Sequence, residues 1–462
     1  MRPRTAALTE GPIAPTLFAF ALPILLGNVL QSLNGSVNSV WVGKFLGEAA
    51  LTATSNANTV LFLLLGGAFG VAMAATILVA QHVGAGRLAA ARAVVGASAA
   101  FFATVAVALA ALGALAAGPL LDAMHTPPDA VPYARAYLRI IFAALPFLYL
   151  YTYVMAVLRG AGDSRTPFRF LLLSVGLDIA LNPLFIFGAG PLPRLGIAGS
   201  ALATLVANAV SFVALVVHLY RTRNPLCLRG SDLALLHFDG AIIATLLRKG
   251  LPMGLQMVVI SANAVAMISL VNRFGSDTTA AYGAAWQLWN YVQMPAFALG
   301  AAVSSMAAQN VGAGRWDRVA RTARTGLLFV VLTTGSVVLL LVAVDAPALR
   351  LFLPPGHAVE IARHVNLVAA PSWVFFGISM VLFGVVRSTG AVMAPVAVLF
   401  VALWAVRLPF ATLLLPRFGA DAIWWSFPLA SLVAAGLAIA YYRFGGWRRA
   451  RMMKAAPPEP AP

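Results

Sequence analysis

Asp178 is the one carboxylate that the sequence sets within an apolar run long enough to cross a bilayer, Ser174-Val-Gly-Leu-Asp-Ile-Ala-Leu-Asn-Pro-Leu-Phe-Ile-Phe-Gly188; the rest of the 14 acidic residues read as segment ends, loops or tails. An ionisable group at membrane depth costs about 2.5–3.5 kcal/mol or more and marks an ion or proton pathway by default. Asn182 lies one helical turn on and shares its face. Pro183 has no N–H to offer the carbonyl of Ile179. A carboxylate, an amide and a freed carbonyl form the smallest set able to take up a proton or hold a small cation.

Other polar side chains recur inside apolar segments. Gln31, Asn34 and Asn38 follow Gly27 at spacings of four, three and four, which puts them on one face of the first segment. Thr204 and Asn208 fall in the sixth segment, Gln256 and Asn263 in the seventh, and Gln287 and Asn290 in the eighth, beside Trp286, Trp289 and Tyr291. Amides in membrane helices serve either as interhelical contacts worth roughly 1 kcal/mol each or as cavity lining, and stripes in both halves favour a cavity. Aromatic rings beside amides suit flat cations through cation–π contact and adaptable packing. Arg407 is a cation inside the eleventh segment and requires a carbonyl or carboxylate partner, for which Asp178 is one option. All six histidines fall at segment ends or in loops and show no metal-ligand spacing, so neither a metal, a cofactor nor a catalytic set is expected.

The elements that must position these groups are membrane helices. The chain of 462 residues is 61% hydrophobic and only 10% charged, where a soluble globular protein carries about 25% charged residues. Apolar runs of roughly 20 residues or more predict twelve spans, at about 14–42, 51–80, 92–118, 133–158, 167–189, 197–220, 242–272, 280–308, 320–344, 361–386, 394–416 and 421–442. The formal charge of +17 is distributed by topology. With both termini cytoplasmic, 22 of the 31 basic residues fall on the inner side and 8 on the outer, with Arg407 within a span. That asymmetry fixes the orientation, points to anionic inner-leaflet lipid as a partner, and excludes nucleic acid. The single cysteine, Cys227, sits in an inner loop and allows no intrachain disulfide. The basic start followed by the apolar 13–33 run imitates a signal peptide, but its length and lack of a small-residue cleavage site make it the first span.

The chain is a duplication. Gln81-His-Val-Gly84-Ala85-Gly86-Arg87 returns as Gln309-Asn-Val-Gly312-Ala313-Gly314-Arg315, offset by 309 − 81 = 228, and Arg159, Gly162 and Pro167 return as Arg387, Gly390 and Pro395 at the same offset. Leu22-Pro23 and Leu251-Pro252 are offset by 229. The glycines of the inner turns, Gly84, Gly86, Gly312 and Gly314, are expected to supply positive φ at helix ends, or to act at an inner gate. A repeat of six spans keeps its orientation, so the expected fold is an all-α polytopic membrane protein: twelve transmembrane helices in two six-helix bundles related by a parallel internal repeat. The N-terminal lobe covers 1–228 and the C-terminal lobe 229–462, the latter ending in a short, proline-rich, disordered tail. Such repeats are a transporter architecture, with the substrate between the halves and alternating access.

The sequence resembles the multidrug and toxic compound extrusion (MATE) transporters over roughly residues 12–443. The resemblance rests on Ala21-Leu-Pro23-Ile … Val42-Gly43, Leu181-Asn182-Pro183-Leu-Phe-Ile-Phe-Gly188, Gln309-Asn310-Val-Gly312-Ala313-Gly314, Arg159-Gly160-Ala-Gly162-Asp163 and the duplication. It implies a bacterial inner-membrane exporter, not an enzyme, that antiports small, amphipathic, often cationic organic compounds against H⁺ or Na⁺. Three positions depart from the family pattern. Asn38 stands where many members carry Asp, Asp178 and Asn182 reverse the usual order of Asn and Asp, and Ile260 stands where the sodium-coupled branch has Glu. Asp178, supported by Asn182, Asn38 and Thr204, is then the coupling group, and H⁺ the expected ion, since one carboxylate with one amide matches Na⁺ poorly. Gln31, Asn34, Asn208, Gln256, Asn263, Gln287, Asn290, Trp286 and Arg407 are the expected substrate cavity. A Na⁺-coupled antiporter and a lipid-linked precursor flippase are the alternatives, the latter requiring cationic groups of which Arg407 is the lone candidate. Each lobe can bury its own core, so a monomer is expected.

Overall fold

The computed structural model describes residues 8–124, 126–188 and 193–452; Arg2, Arg4, His125, Lys454 and the tail from Ala455 lie outside the described residues. The first half holds α1 (Ile13–Leu46), α2 (Glu48–Gly84), α3 (Leu88–Ala123), α4 (Val131–Gly160), α5 (Arg165–Phe187) and α6 (Ile197–Arg221). The second holds α7 (Gly240–Val271), α8 (Ser276–Val292), α9 (Met294–Gly312), α10 (Trp316–Ala343), a short α11 (Asp345–Leu349), α12 (His357–Arg387), α13 (Met393–Phe400), α14 (Leu408–Phe418) and α15 (Asp421–Phe444). Among the described residues there is no strand.

Eleven of the twelve expected spans are long and apolar enough to cross a membrane. The eighth is instead two helices, α8 and α9, of 17 and 19 residues, meeting at Gln293. Pro295 gives the reason: it has no N–H, so one rung of the helical ladder is lost there. The eleventh span is also irregular, with a π-helical stretch at Val401–Arg407 between α13 and α14. Large apolar side chains such as Leu115, Leu339 and Leu413 stand exposed along the spans, as lipid contact demands.

Two compact units emerge from the contacts. One holds Leu22–Leu246; the other holds Leu8–Ala21 and the chain from Leu247 on. The N-terminal stretch is tied into the second unit by polar bonds. Leu8 donates its N–H to Gln309 Oε1 at 3.2 Å, and Asn310 and Arg315 donate to the carbonyls of Leu8 and Thr9 at 3.1 and 2.6 Å.

Each unit is built around one central helix. In the first, α4 packs against α3, α6 and α2; in the second, α12 packs against α15, α9 and α10. These are the two most buried spans, with 56% and 72% of their apolar windows enclosed. They are repeat equivalents, so the duplication extends to packing. Small residues permit the close approach. A Cβ on Gly160 of α4 would lie 2.5 Å from the Thr76 carbonyl oxygen on α2, and one on Gly384 of α12 would lie 2.5 Å from the Gly300 carbonyl oxygen on α9. Gly384→Ala is therefore expected to cost about 1–3 kcal/mol through overpacking, read as a lowered unfolding temperature of the detergent-solubilised protein. An unchanged temperature would show that these helices part freely.

The repeated turns also coincide in detail. Arg87 donates its N–H to His82 O at 2.9 Å and Arg315 to Asn310 O at 2.8 Å. Gly86 and Gly314 lie at φ 73° and 70°, which explains both glycines as helix-end residues. The same expectation fails for Gly84 and Gly312, which are the last residues of α2 and α9 and have no positive φ. The connection between the halves runs from Thr222 to Asp239, since α7 begins at Gly240, two residues ahead of the expected span. A 3₁₀ turn at Gly230–Leu235 docks it on α3, where Asp232 pairs with Arg92 and a Cβ on Gly96 would meet the Leu235 carbonyl.

Candidate functional site

In the first unit, three helices converge on Asp178. The carboxylate is only 4% exposed. Its Oδ2 accepts from Asn34 Nδ2 of α1 at 2.9 Å, and its Oδ1 accepts from the Thr204 hydroxyl of α6 at 3.0 Å. One side chain of α5 thereby ties α1 and α6 together. Asn182 joins differently from expectation: its amide donates to the backbone carbonyl of Asp178 at 3.0 Å, and the Ile179 carbonyl takes no part in that bond. Asn38 lies beside this group rather than in it, accepting from Ser200 of α6 at 2.8 Å. Asn208 donates to the Thr204 carbonyl at 2.8 Å and so steadies the residue that holds Oδ1. Gln31 is exposed.

Two further groups belong here that the sequence did not single out. Tyr137 of α4, 2% exposed, lies near Asn38 and Asp178. Ser200 is fully buried against Asn38. The Oδ1 atoms of Asn34 and Asn182 are buried without a protein partner. The cluster therefore carries spare acceptor capacity beside its carboxylate.

In the second unit, Arg407 ends the π-helical stretch, and its partner is an amide rather than a carboxylate. Nη1 donates to Asn263 Oδ1 of α7 at 3.1 Å, and the guanidinium carbon lies 3.5 Å from the centre of the Phe427 ring of α15. Asn263, 1% exposed, also donates to the Leu403 carbonyl at 2.9 Å, and Trp404 Nε1 donates to Val259 O at 3.2 Å. Carbonyls of the irregular stretch and of α7 thus find side-chain partners across the pair.

The remaining residues of the expected cavity do not gather around Arg407 by any polar bond. Gln256 is buried and accepts from Arg387 at 3.3 Å. Gln287 is exposed, and Asn290 accepts from Gln293 at 3.1 Å beside the α8–α9 break. Trp286 packs at the edge of an aromatic cluster centred on Trp289, whose ring is fully buried and bonded to Asn366 at 2.9 Å. Trp286 and Trp289 thus read as core packing first.

Comparison with known proteins follows the same duplication. The MatE family model matches twice, at residues 23–184 and 252–413, an offset of 252 − 23 = 229. The probable multidrug resistance protein YoeA of Bacillus subtilis is 35% identical over 437 residues, covering 94% of each chain. YpnP of the same organism, also named a probable multidrug resistance protein, is 30% identical over 444 residues, covering 96% of this chain and 98% of that one. Among solved structures, the Vibrio cholerae MATE transporter VcmN superposes with a TM-score of 0.86 at 20% identity, over 96% of this chain and 98% of that one.

Proposed function

The chain belongs to the MatE family of multi-pass membrane transporters, and we propose that it exports small amphipathic compounds, often cationic, in exchange for H⁺ by alternating access. The observation that carries this reading is Asp178, a buried carboxylate whose two oxygens are held by donors from two other helices. Ionised, it accepts from Asn34 and Thr204. Protonated, it must donate from one oxygen. The Thr204 hydroxyl can turn from donor to acceptor, and the free Oδ1 of Asn34 can accept once its amide rotates. Both charge states therefore have a satisfied arrangement, but the bonds that tie α1 and α6 to α5 differ between them. Proton uptake thereby changes the packing of three helices, which is what coupling to alternating access requires.

The residues of the first half, Asp178, Asn182, Asn38 and Thr204, are on this reading the proton site. Gln31, Asn34, Asn208, Gln256, Asn263, Gln287, Asn290 and Arg407 line the substrate path, with Trp286 packed at the edge of the aromatic core beside it and the halves 1–228 and 229–462 as the moving parts. The unpartnered amide oxygens of Asn34 and Asn182 favour Na⁺ as the second reading, since they are hard oxygen ligands beside a carboxylate. Proteoliposomes given a pH gradient in one arm and a Na⁺ gradient in another, with export of rhodamine 6G as the readout, distinguish the two. Export driven by the pH gradient alone supports H⁺, and export driven by Na⁺ alone overturns it.

The excess of basic residues on one side supports cytoplasmic termini in a plasma membrane with anionic lipid at the inner face, and two units that each bury a core of their own support a monomer as the working unit. Cys227 tests the orientation. It lies between α6 and the 3₁₀ turn, half-buried against an apolar cluster that includes Leu158 and Leu219. Burial pushes its thiol up, against the opposing effect of Arg229. Because the thiolate is the nucleophile, labelling by a membrane-impermeant maleimide is expected to be slow at neutral pH and to quicken as pH rises. It should occur in inside-out vesicles and not in right-side-out ones; the reverse pattern would invert the topology.

A further inference from the structure

We propose that Arg407 is the subsite for an anionic group, a carboxylate or a phosphate, on the transported compound, so that the second half accepts zwitterionic as well as cationic amphiphiles. The proposal rests on the export reading above and names the chemistry of one part of its substrate path. Arg407 sits in the membrane part of the second unit with only neutral groups bonded to it, Asn263 and the face of Phe427. Its Nε and Nη2 are buried and find no partner in the protein. These two nitrogens form one edge of the guanidinium, whose paired N–H groups bind a carboxylate or phosphate in bidentate fashion. The edge left unpaired is thus the one that an anion fits.

Among the described residues no carboxylate pairs with Arg407. In the described part of this unit Glu10 is exposed ahead of α1, and the other acidic residues, Asp277, Asp317, Asp345, Glu360 and Asp421, stand in first turns of helices. There they complement the helix dipole. Asp345 is further taken up by Arg363 and Asp421 by His364. A buried cation without a counter-charge is costly, and one that serves packing alone is ordinarily paired. The surroundings also hold the side chain in place. Asn263 grips both Nη1 and the Leu403 carbonyl of the π-helical stretch, Phe427 stacks on the guanidinium face, and single π-turns within helices recur at functional sites.

The test uses two dyes that share a fluorophore, rhodamine 6G, an ester and a cation, and its free acid rhodamine 19, which adds a carboxylate. With the full chain in proteoliposomes, wild type is expected to export both. Arg407→Gln should raise KM for the free acid at least tenfold relative to KM for the ester. Asn263→Asp supplies an internal carboxylate to the same guanidinium and should produce the same selective loss, so the proposal stays testable if Arg407→Gln does not fold. Parallel changes in both dyes, an unchanged ratio in both variants, or wild-type export of the ester but not of the free acid would overturn the anion subsite and leave the export reading standing. Export of neither dye by wild type would overturn both.

Discussion

Asp178→Asn is expected to reduce pH-driven export to the passive leak while the protein remains folded. The substituted amide has the shape of the carboxylate, and its oxygen can still accept from the Thr204 hydroxyl, so the contact between α5 and α6 survives. What it cannot do is change charge. Its nitrogen also meets the Asn34 amide, donor against donor, unless one of them rotates. Loss of coupled export together with retained unfolding temperature and monodisperse elution would separate a coupling role from a structural one. Full pH-driven export by the variant would move the coupling group elsewhere.

Thr204→Val tests the next link. It removes the hydroxyl 3.0 Å from Asp178 Oδ1 and keeps the shape of the side chain. A hydrogen bond to a charged group contributes about 1.5–3 kcal/mol, and each 1.4 kcal/mol is tenfold, so the initial rate of pH-driven export should fall about 10- to 100-fold. Thr204→Ser retains the hydroxyl and should recover most of the rate. Equal export by all three proteins would mean that the Thr204 bond plays no part in the turnover cycle.

Much of the architecture was legible because it rests on runs and repeats. Apolar length marked the spans, and the 228-residue offset between Gln81 and Gln309 marked the duplication that the central helices α4 and α12 now display. Irregularities within spans were less legible. Pro295 divides the eighth span into α8 and α9, whereas Pro183 lies inside an unbroken α5. Proline alone therefore does not say whether the neighbouring helices will sustain the ladder. The π-helical stretch before Arg407 left no periodic trace, because one extra residue per turn is lost in a uniformly apolar sequence.

The site was legible to the level of a helix face and no further. Spacing put Asn34 and Asn38 on one side of α1, and burial singled out Asp178. Which of the two amides meets the carboxylate depends on how α1 is rotated and raised against α5 and α6, a relation between helices that no single-helix pattern contains. Asn34 meets Asp178, and Asn38 meets Ser200. Tyr137 escaped notice for a related reason: its repeat equivalent is Val365, and an aromatic residue in a buried helix looks like packing until its polar neighbours on other helices are known.

The central claim is that one proton on Asp178 and the transported compound exclude each other. It is tested most directly by adding rhodamine 6G to the purified protein in weakly buffered solution near the pH at which export is half-maximal, and recording proton release, in wild type and in Asp178→Asn. The account predicts release from wild type, saturating with the dye, and none from the variant. Equal release from both, or dye binding to wild type without release, would contradict it.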